Sequence, residues 1–143
     1  MDAASRLCAS PTLFPNTYDN NRYKVATLPS EMVSWDAAKA LCETQDARLA
    51  VIETMGENEY LATLVLGFAD WSWIGLTDIA TEGQPLWITN TPLGSTDYQP
   101  FNPLIGADAD CFNLAPAPLA AVNGRWGDFD CNANKGWICE CAL

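Results

Sequence analysis

The sequence predicts an α+β fold. Three features carry the prediction: two stretches of helical hydrophobic period in the first half, a second half of short apolar blocks divided by turns, and six cysteines. The 143 residues lie in the size range of one domain and no linker-like tract divides them, so residues 1–143 are expected to form a single unit. With 49% hydrophobic residues and six Trp, the chain carries enough apolar material for a sizeable core.

Residues 1–20 contain Pro11, Pro15, Asn16 and Asn20 with little periodicity. They read as a lead-in loop with one strand near Cys8 or Phe14. The run 22–28 alternates through Tyr23, Val25 and Thr27 as a strand does and stops at Pro29. A helix follows: Ser34 is a good N-cap, Asp36 stands in the positive first turn, and Trp35, Ala38, Leu41 and Cys42 share one face. After the strand-like 48–52, Thr54-Met55-Gly56-Glu57 has the form of a capping box, and Tyr60, Leu61, Leu64 and Val65 extend an apolar stripe that Gly67 closes. From Trp71 onward the apolar blocks 73–76, 85–89, 111–114, 124–126 and 136–141 predict an antiparallel sheet region, interrupted by a long irregular excursion between roughly 90 and 110.

Seven Lys and Arg against eighteen Asp and Glu give a net charge of −11. This acidity repels phosphate backbones and anionic bilayers, so neither nucleic acid nor a membrane is an expected partner. It suits a hard cation such as calcium, which takes oxygen ligands. The absence of His removes the commonest general base and the commonest zinc ligand. The pair Asp128 and Asp130 offers the one acid–base constellation, but beside Cys131 on a loop it reads as solvated or metal-bound, so no enzyme is expected. Cysteines at 8, 42, 111, 131, 139 and 141 form an even set without a C-x-x-C pair, which points to disulfides and a secreted, extracellular setting. Met1-Asp2-Ala3-Ala4 lacks a signal-peptide pattern, so a mature domain with its signal already removed is the expectation.

Several motifs together resemble one family. Trp73-Ile74-Gly75-Leu76 is similar to the WIGL signature of C-type lectin-like domains, and Trp35 to Cys42 followed by Ala47-Arg48-Leu49-Ala50 resembles that family's first helix and next strand. Trp126-Gly127-Asp128-Phe129-Asp130-Cys131 and Trp137-Ile138-Cys139-Glu140 resemble its WND segment and closing strand, so the likeness runs from about Tyr23 to Cys141. It implies the C-type lectin-like fold and the pairings Cys42–Cys139 and Cys111–Cys131, which leaves Cys8 to Cys141. A bridge closing a loop of about 100 residues removes on the order of 4–5 kcal/mol of unfolded-state freedom in the chain-entropy model.

The resemblance also implies where calcium would sit. Sugar-binding members hold one ion with a Glu-Pro-Asn or Gln-Pro-Asp triplet, a nearby Glu and the Asn-Asp of WND. Here the loop reads Tyr98-Gln99-Pro100-Phe101-Asn102, Ala109 stands at the Glu and Gly127 at the Asn, so of that set Asp128 remains. An auxiliary calcium position is better matched by Asp78, Glu82 and Asp110, with Asp108 a further candidate; the alternative is that Asp78 and Glu82 are solvated turn residues. A third position would draw on a carbonyl near Val51, on Glu57 and on Glu140, in competition with the capping role of Glu57.

Of Trp71, Trp73, Trp87, Trp126 and Trp137, four lie in strand-like blocks and belong to the core, while Tyr98 and Phe101 in the Pro-rich loop are the candidates for an exposed contact patch. With Gln99, Asn102, Asp128 and Asp130 they form the expected ligand surface. The expected function is non-enzymatic recognition of a protein, matrix or glycan ligand with structural calcium, the alternative being a lectin with a rearranged calcium site or none.

Overall fold

Ser34 and Thr54 start the two helices. The Ala37 N–H donates to Ser34 Oγ at 3.3 Å and opens α1 (Trp35–Glu43); the Glu57 N–H donates to Thr54 Oγ1 at 3.2 Å and opens α2 (Met55–Leu64). Each hydroxyl satisfies a backbone donor that the first turn leaves without an intrahelical partner. The computed structural model describes residues 6–66, 70–94, 97–100, 109–116 and 124–142. Gly67, the expected helix stop, lies outside them; α2 ends at Leu64 with Val65 as its C-cap.

Among the described residues the strands are β1 (Asn16–Tyr18), β2 (Asn21–Val25), β3 (Arg48–Leu49), β4 (Ser72–Thr77), β5 (Leu86–Trp87), β6 (Cys111–Leu114), β7 (Trp126–Phe129) and β8 (Gly136–Ala142). Their order is β1-β2-β8-β4-β6-β7, with β3 also on β8 and β5 on β4. The N-terminal part differs from expectation. Cys8 sits in a 3-10 turn (Leu7–Ala9), not in a strand, and Phe14 is buried without strand pairing. Pro11 and Pro15 cannot donate to a ladder, so pairing begins only at Asn16. The expected antiparallel pairing holds except between β4 and β8, which run parallel through Ser72↔Gly136 and Trp73↔Trp137. The long chain between those strands allows the crossover that parallel pairing requires.

Alternate residues of β4 and β8 point to opposite faces and so divide the core in two. Ile74, Leu76 and Ile138 join Leu61, Leu114 and Trp126 beneath α2, whereas Trp73, Trp137 and Cys139 join Trp35, Ala38 and Cys42 of α1. Four buried indoles each find an acceptor: Trp35 Nε1 donates to Ile74 O (2.9 Å), Trp73 Nε1 to Val33 O (2.9 Å), Trp137 Nε1 to Glu31 O (3.0 Å) and Trp126 Nε1 to Asn58 Oδ1 (2.7 Å). These bonds offset the cost of taking an N–H out of water. Gly75 is required by crowding, since a Cβ there would lie 2.9 Å from Leu49 O.

The disulfides are Cys8–Cys141, Cys42–Cys139 and Cys111–Cys131, and no cysteine is free. Two of them leave β8 on the same face, on either side of Glu140, and tie the central strand to α1 and to the N-terminal turn.

Candidate calcium and ligand site

The chain leaves β4 at Thr77 and turns through 78–84, and the turn is held by the Asp78 carboxylate: Gly83 N–H donates to Asp78 Oδ2 at 3.1 Å, with Gly83 at φ +78°. That left-handed φ is one a side chain rarely adopts. Asp78 N–H in turn donates to Asp110 O at 3.0 Å, bringing the residue before Cys111 alongside the turn. As a result one carboxylate oxygen from each of Asp78, Glu82 and Asp110 lies within 4.8 Å of the others. Asp78 is 5% exposed, and its Oδ1 has no hydrogen-bond donor. Burial, and then the charge of Asp110, push the Asp78 carboxyl above its usual range. Glu82 is pushed the same way by desolvation and by the charges of Asp78, Asp110 and Asp128.

Asp128 is buried on β7, opposite Phe112 of β6, and completes the acidic neighbourhood by acting on Glu82. Asp108 lies outside the described residues. Asp130 is exposed and caps a turn, its Oδ1 accepting from Asn132 N–H at 2.9 Å.

The second acidic pair is arranged differently. Glu57 Oε2 accepts from the Tyr23 hydroxyl at 2.5 Å and its Oε1 from the Glu53 N–H at 3.0 Å. The cap is therefore one residue out of register with a standard capping box, reaching Glu53 in place of Thr54. Glu140 Oε2 accepts from Arg48 Nε (2.9 Å) and from Val51 N–H (3.3 Å), and its Oε1 from Asn21 Nδ2 (3.4 Å). Val51 thus offers its N–H, not its carbonyl, to this pair. Burial raises the Glu140 carboxyl to about 7, with Arg48 opposing and Glu57 reinforcing the rise.

Of the expected contact residues, Phe101 and Asn102 lie outside the described residues. Tyr98 is half-buried: Asn58 Nδ2 donates to its hydroxyl at 3.2 Å and its ring stands edge-on to Trp126. It is a wall of the loop more than an exposed patch, because its aromatic area is better spent against Trp126 than in water. Gln99 Nε2 donates to Gly94 O at 2.7 Å and to Asp97 O at 3.2 Å, and so braces its own loop. Asn58 was not singled out in the sequence. It donates to Tyr98 Oη and to Gly124 O (2.7 Å) while accepting from Trp126, and so pins the loop to α2. The available signal was a poor helix former set inside the apolar stripe of α2.

The model of the "Lectin C-type domain" family matches residues 31–141. The chain belongs to the C-type lectin family. "Lectin BRA-3" of Megabalanus rosa is 32% identical over 125 residues, which cover 86% of this chain and 72% of that protein. Human "C-type lectin domain family 17, member A" is 30% identical over 107 residues, 75% of this chain but 26% of that protein, so this chain spans about a quarter of that larger relative. The human scavenger receptor C-type lectin carbohydrate-recognition domain superposes with a TM-score of 0.77 at 26% identity, covering 94% of this chain and 99% of that one. A calcium-independent type II antifreeze protein shares the fold, with a TM-score of 0.74 at 24% identity over 93% of this chain and 94% of that one. The chain is thus a recognition module of C-type lectin type, a class whose members are generally non-enzymatic. No helix among the described residues is long and apolar enough to cross a membrane.

Within this C-type lectin domain, the substitution of Gly for the Asn of WND has a structural partner. A Cβ at 127 would lie 2.8 Å from the Trp71 ring, which packs across the glycine and tilts onto Phe129 at 5.4 Å. The side of β7 where that Asn would project is filled by an indole, so the residues present do not fit the family's sugar-ligating ion. Hard oxygens within 4.8 Å of one another, from the buried Asp78, the exposed Glu82 and the half-buried Asp110, do fit calcium.

Proposed function

We propose that this chain is an extracellular recognition module that binds calcium at Asp78, Glu82 and Asp110, with Asp128 beside them, and that the ion is structural. The observation that carries this reading is the Asp78 carboxylate, 5% exposed, its Oδ1 without a hydrogen-bond donor and one of its oxygens within 4.8 Å of carboxylate oxygens of Glu82 and Asp110. A divalent ion neutralises such a group at the least cost, because its charge offsets the mutual repulsion of the Asp78, Glu82 and Asp110 carboxylates. Bound, calcium would join the turn after β4 to the segment that enters β6, and so hold the base of the long excursion in one conformation. The ligand, whether protein, matrix or glycan, is then met by side chains of that excursion and not by the metal, a reading favoured by the indole of Trp71 over Gly127. Three closed disulfides suit an oxidising, extracellular setting.

Calorimetric titration of chelator-treated protein with calcium tests the proposal. One saturable site that disappears in Asp78→Asn is expected; absence of any heat or of any thermal shift would overturn it. A glycan array run in calcium and again in chelator tests the structural role, since sugar binding that vanishes with the metal would mean that the ion ligates sugar directly.

A further inference from the structure

A cleft of about 420 Å³ lies between the 48–53 segment on one side and, on the other, Trp87 of β5 with Thr91, Leu93, Asp97 and Tyr98 of the long excursion. None of Asp78, Glu82, Asp110 or Asp128 lines it. Its volume falls in the range of small-ligand sites.

Three of its walls are held before any ligand arrives. Arg48 lines it with Nε fixed on Glu140 Oε2 at 2.9 Å, which sets the plane of the guanidinium. Tyr98 is fixed through its hydroxyl by Asn58 and through its ring by Trp126. Trp87, 5% exposed, is locked edge-on against Trp126 at 5.4 Å and turns its remaining surface to the cleft. Preorganised walls lower the ordering cost of binding.

The chemistry of the lining selects among ligand classes. Glu53 and Asp97 outnumber the single lining cation Arg48, whose Nε is already bonded to Glu140, so the cleft carries no net attraction for phosphate, sulfate or carboxylate ligands. What it offers is a planar donor, two carboxylate acceptors, the Thr91 hydroxyl, the half-buried ring of Tyr98 and the narrow exposed edge of Trp87. Donors and acceptors set around aromatic area match a ring bearing hydroxyls on its edge and C–H groups on its faces.

We propose that this cleft is a metal-independent binding site for a neutral saccharide of roughly one or two rings. The proposal rests on the reading above that calcium is structural, and it supplies the place and class of a ligand met by side chains alone.

The test is titration of the chelator-treated, disulfide-intact protein with methyl α-mannoside, methyl β-galactoside and lactose, followed by the ¹H–¹⁵N signals of the indole groups. The expected result is saturable movement of the Trp87 signal with at least one of these sugars, unchanged when calcium is added. Thr91→Trp, which fills the cleft from an exposed position, should weaken binding at least about tenfold, and Glu53→Gln, which keeps shape and removes a charged acceptor, several-fold. Sialyllactose should bind no more tightly than lactose. The proposal is overturned if none of the sugars moves the Trp87 signal, or if the folded Thr91→Trp protein binds as well as the parent. Sugar binding that appears only with calcium overturns both this proposal and the structural role of the ion. Chelator-insensitive binding in a protein that takes up no calcium would sink the calcium reading alone.

Discussion

Asn58 Oδ1 accepts the indole N–H of Trp126 at 2.7 Å, joining α2 to β7 across the core. The same side chain holds the Tyr98 hydroxyl and the Gly124 carbonyl, so one buried amide fixes three segments that are far apart in the chain. Truncation to Asn58→Ala would strand a buried indole N–H and a carbonyl, and is expected to cost about 2–4 kcal/mol. Urea unfolding measures this. A loss below about 0.5 kcal/mol, the range of an ordinary surface change, would show that the amide is not a structural node.

Calcium should raise the unfolding midpoint, because an ion held only by the folded state adds RT ln(1 + [Ca]/Kd), about 2.7 kcal/mol at a hundredfold excess over Kd. Asp78→Asn carries a second, opposite expectation. It removes a carboxylate that burial and Asp110 disfavour, so the mutant without metal should be at least as stable as the parent while losing the calcium response. Differential scanning calorimetry of both proteins, with and without calcium, reads the two effects separately.

Restoring the family's Asn at 127 should fail for a steric reason. Gly127→Asn is expected to destabilise by about 1–3 kcal/mol through collision with the Trp71 ring. Trp71→Ala in the same chain should recover part of that loss, and the non-additivity appears in a double-mutant cycle. Additive losses would mean that the indole does not exclude the side chain.

Glu140 titrates near 7 in the folded state against an ordinary value of 4.5. Its folded form therefore keeps a proton that the unfolded chain has released between those values, so its contribution is full below pH 4.5 and is lost as pH rises toward 7. Relative to the parent, Glu140→Gln should show a smaller fall in stability from pH 5 to pH 8, the difference reaching up to about 3 kcal/mol. Parallel pH profiles of the two proteins would contradict this.

Much of the frame was legible in the chain. Ser34 and Thr54 announced the helix starts, the period of Trp35, Ala38 and Cys42 announced the buried face of α1, and the short apolar blocks announced the strands, because caps and periodicity are local properties. The resemblance carried the disulfide pairing, and the structure contains all three bridges. The acidic trio was named from the same motifs, and two of its members, Asp78 and Glu82, share one turn.

The N-terminal turn and the roles of Asn58 and Trp71 were not legible. Proline placement put the first strand at Asn16, past both Cys8 and Phe14, and nothing near Trp71 in sequence indicates that its ring covers Gly127 of β7.

The sequence by itself determined the elements, the buried faces and the stock of acidic oxygens, since each follows from neighbours within a few residues. Only the tertiary structure decided that Asp110 reaches Asp78 through a backbone bond, that Val51 gives Glu140 an N–H, and that Arg48, Trp87 and Tyr98 wall one cleft. Those outcomes depend on sheet register and on which side chains meet across it, long-range choices that local propensity does not encode.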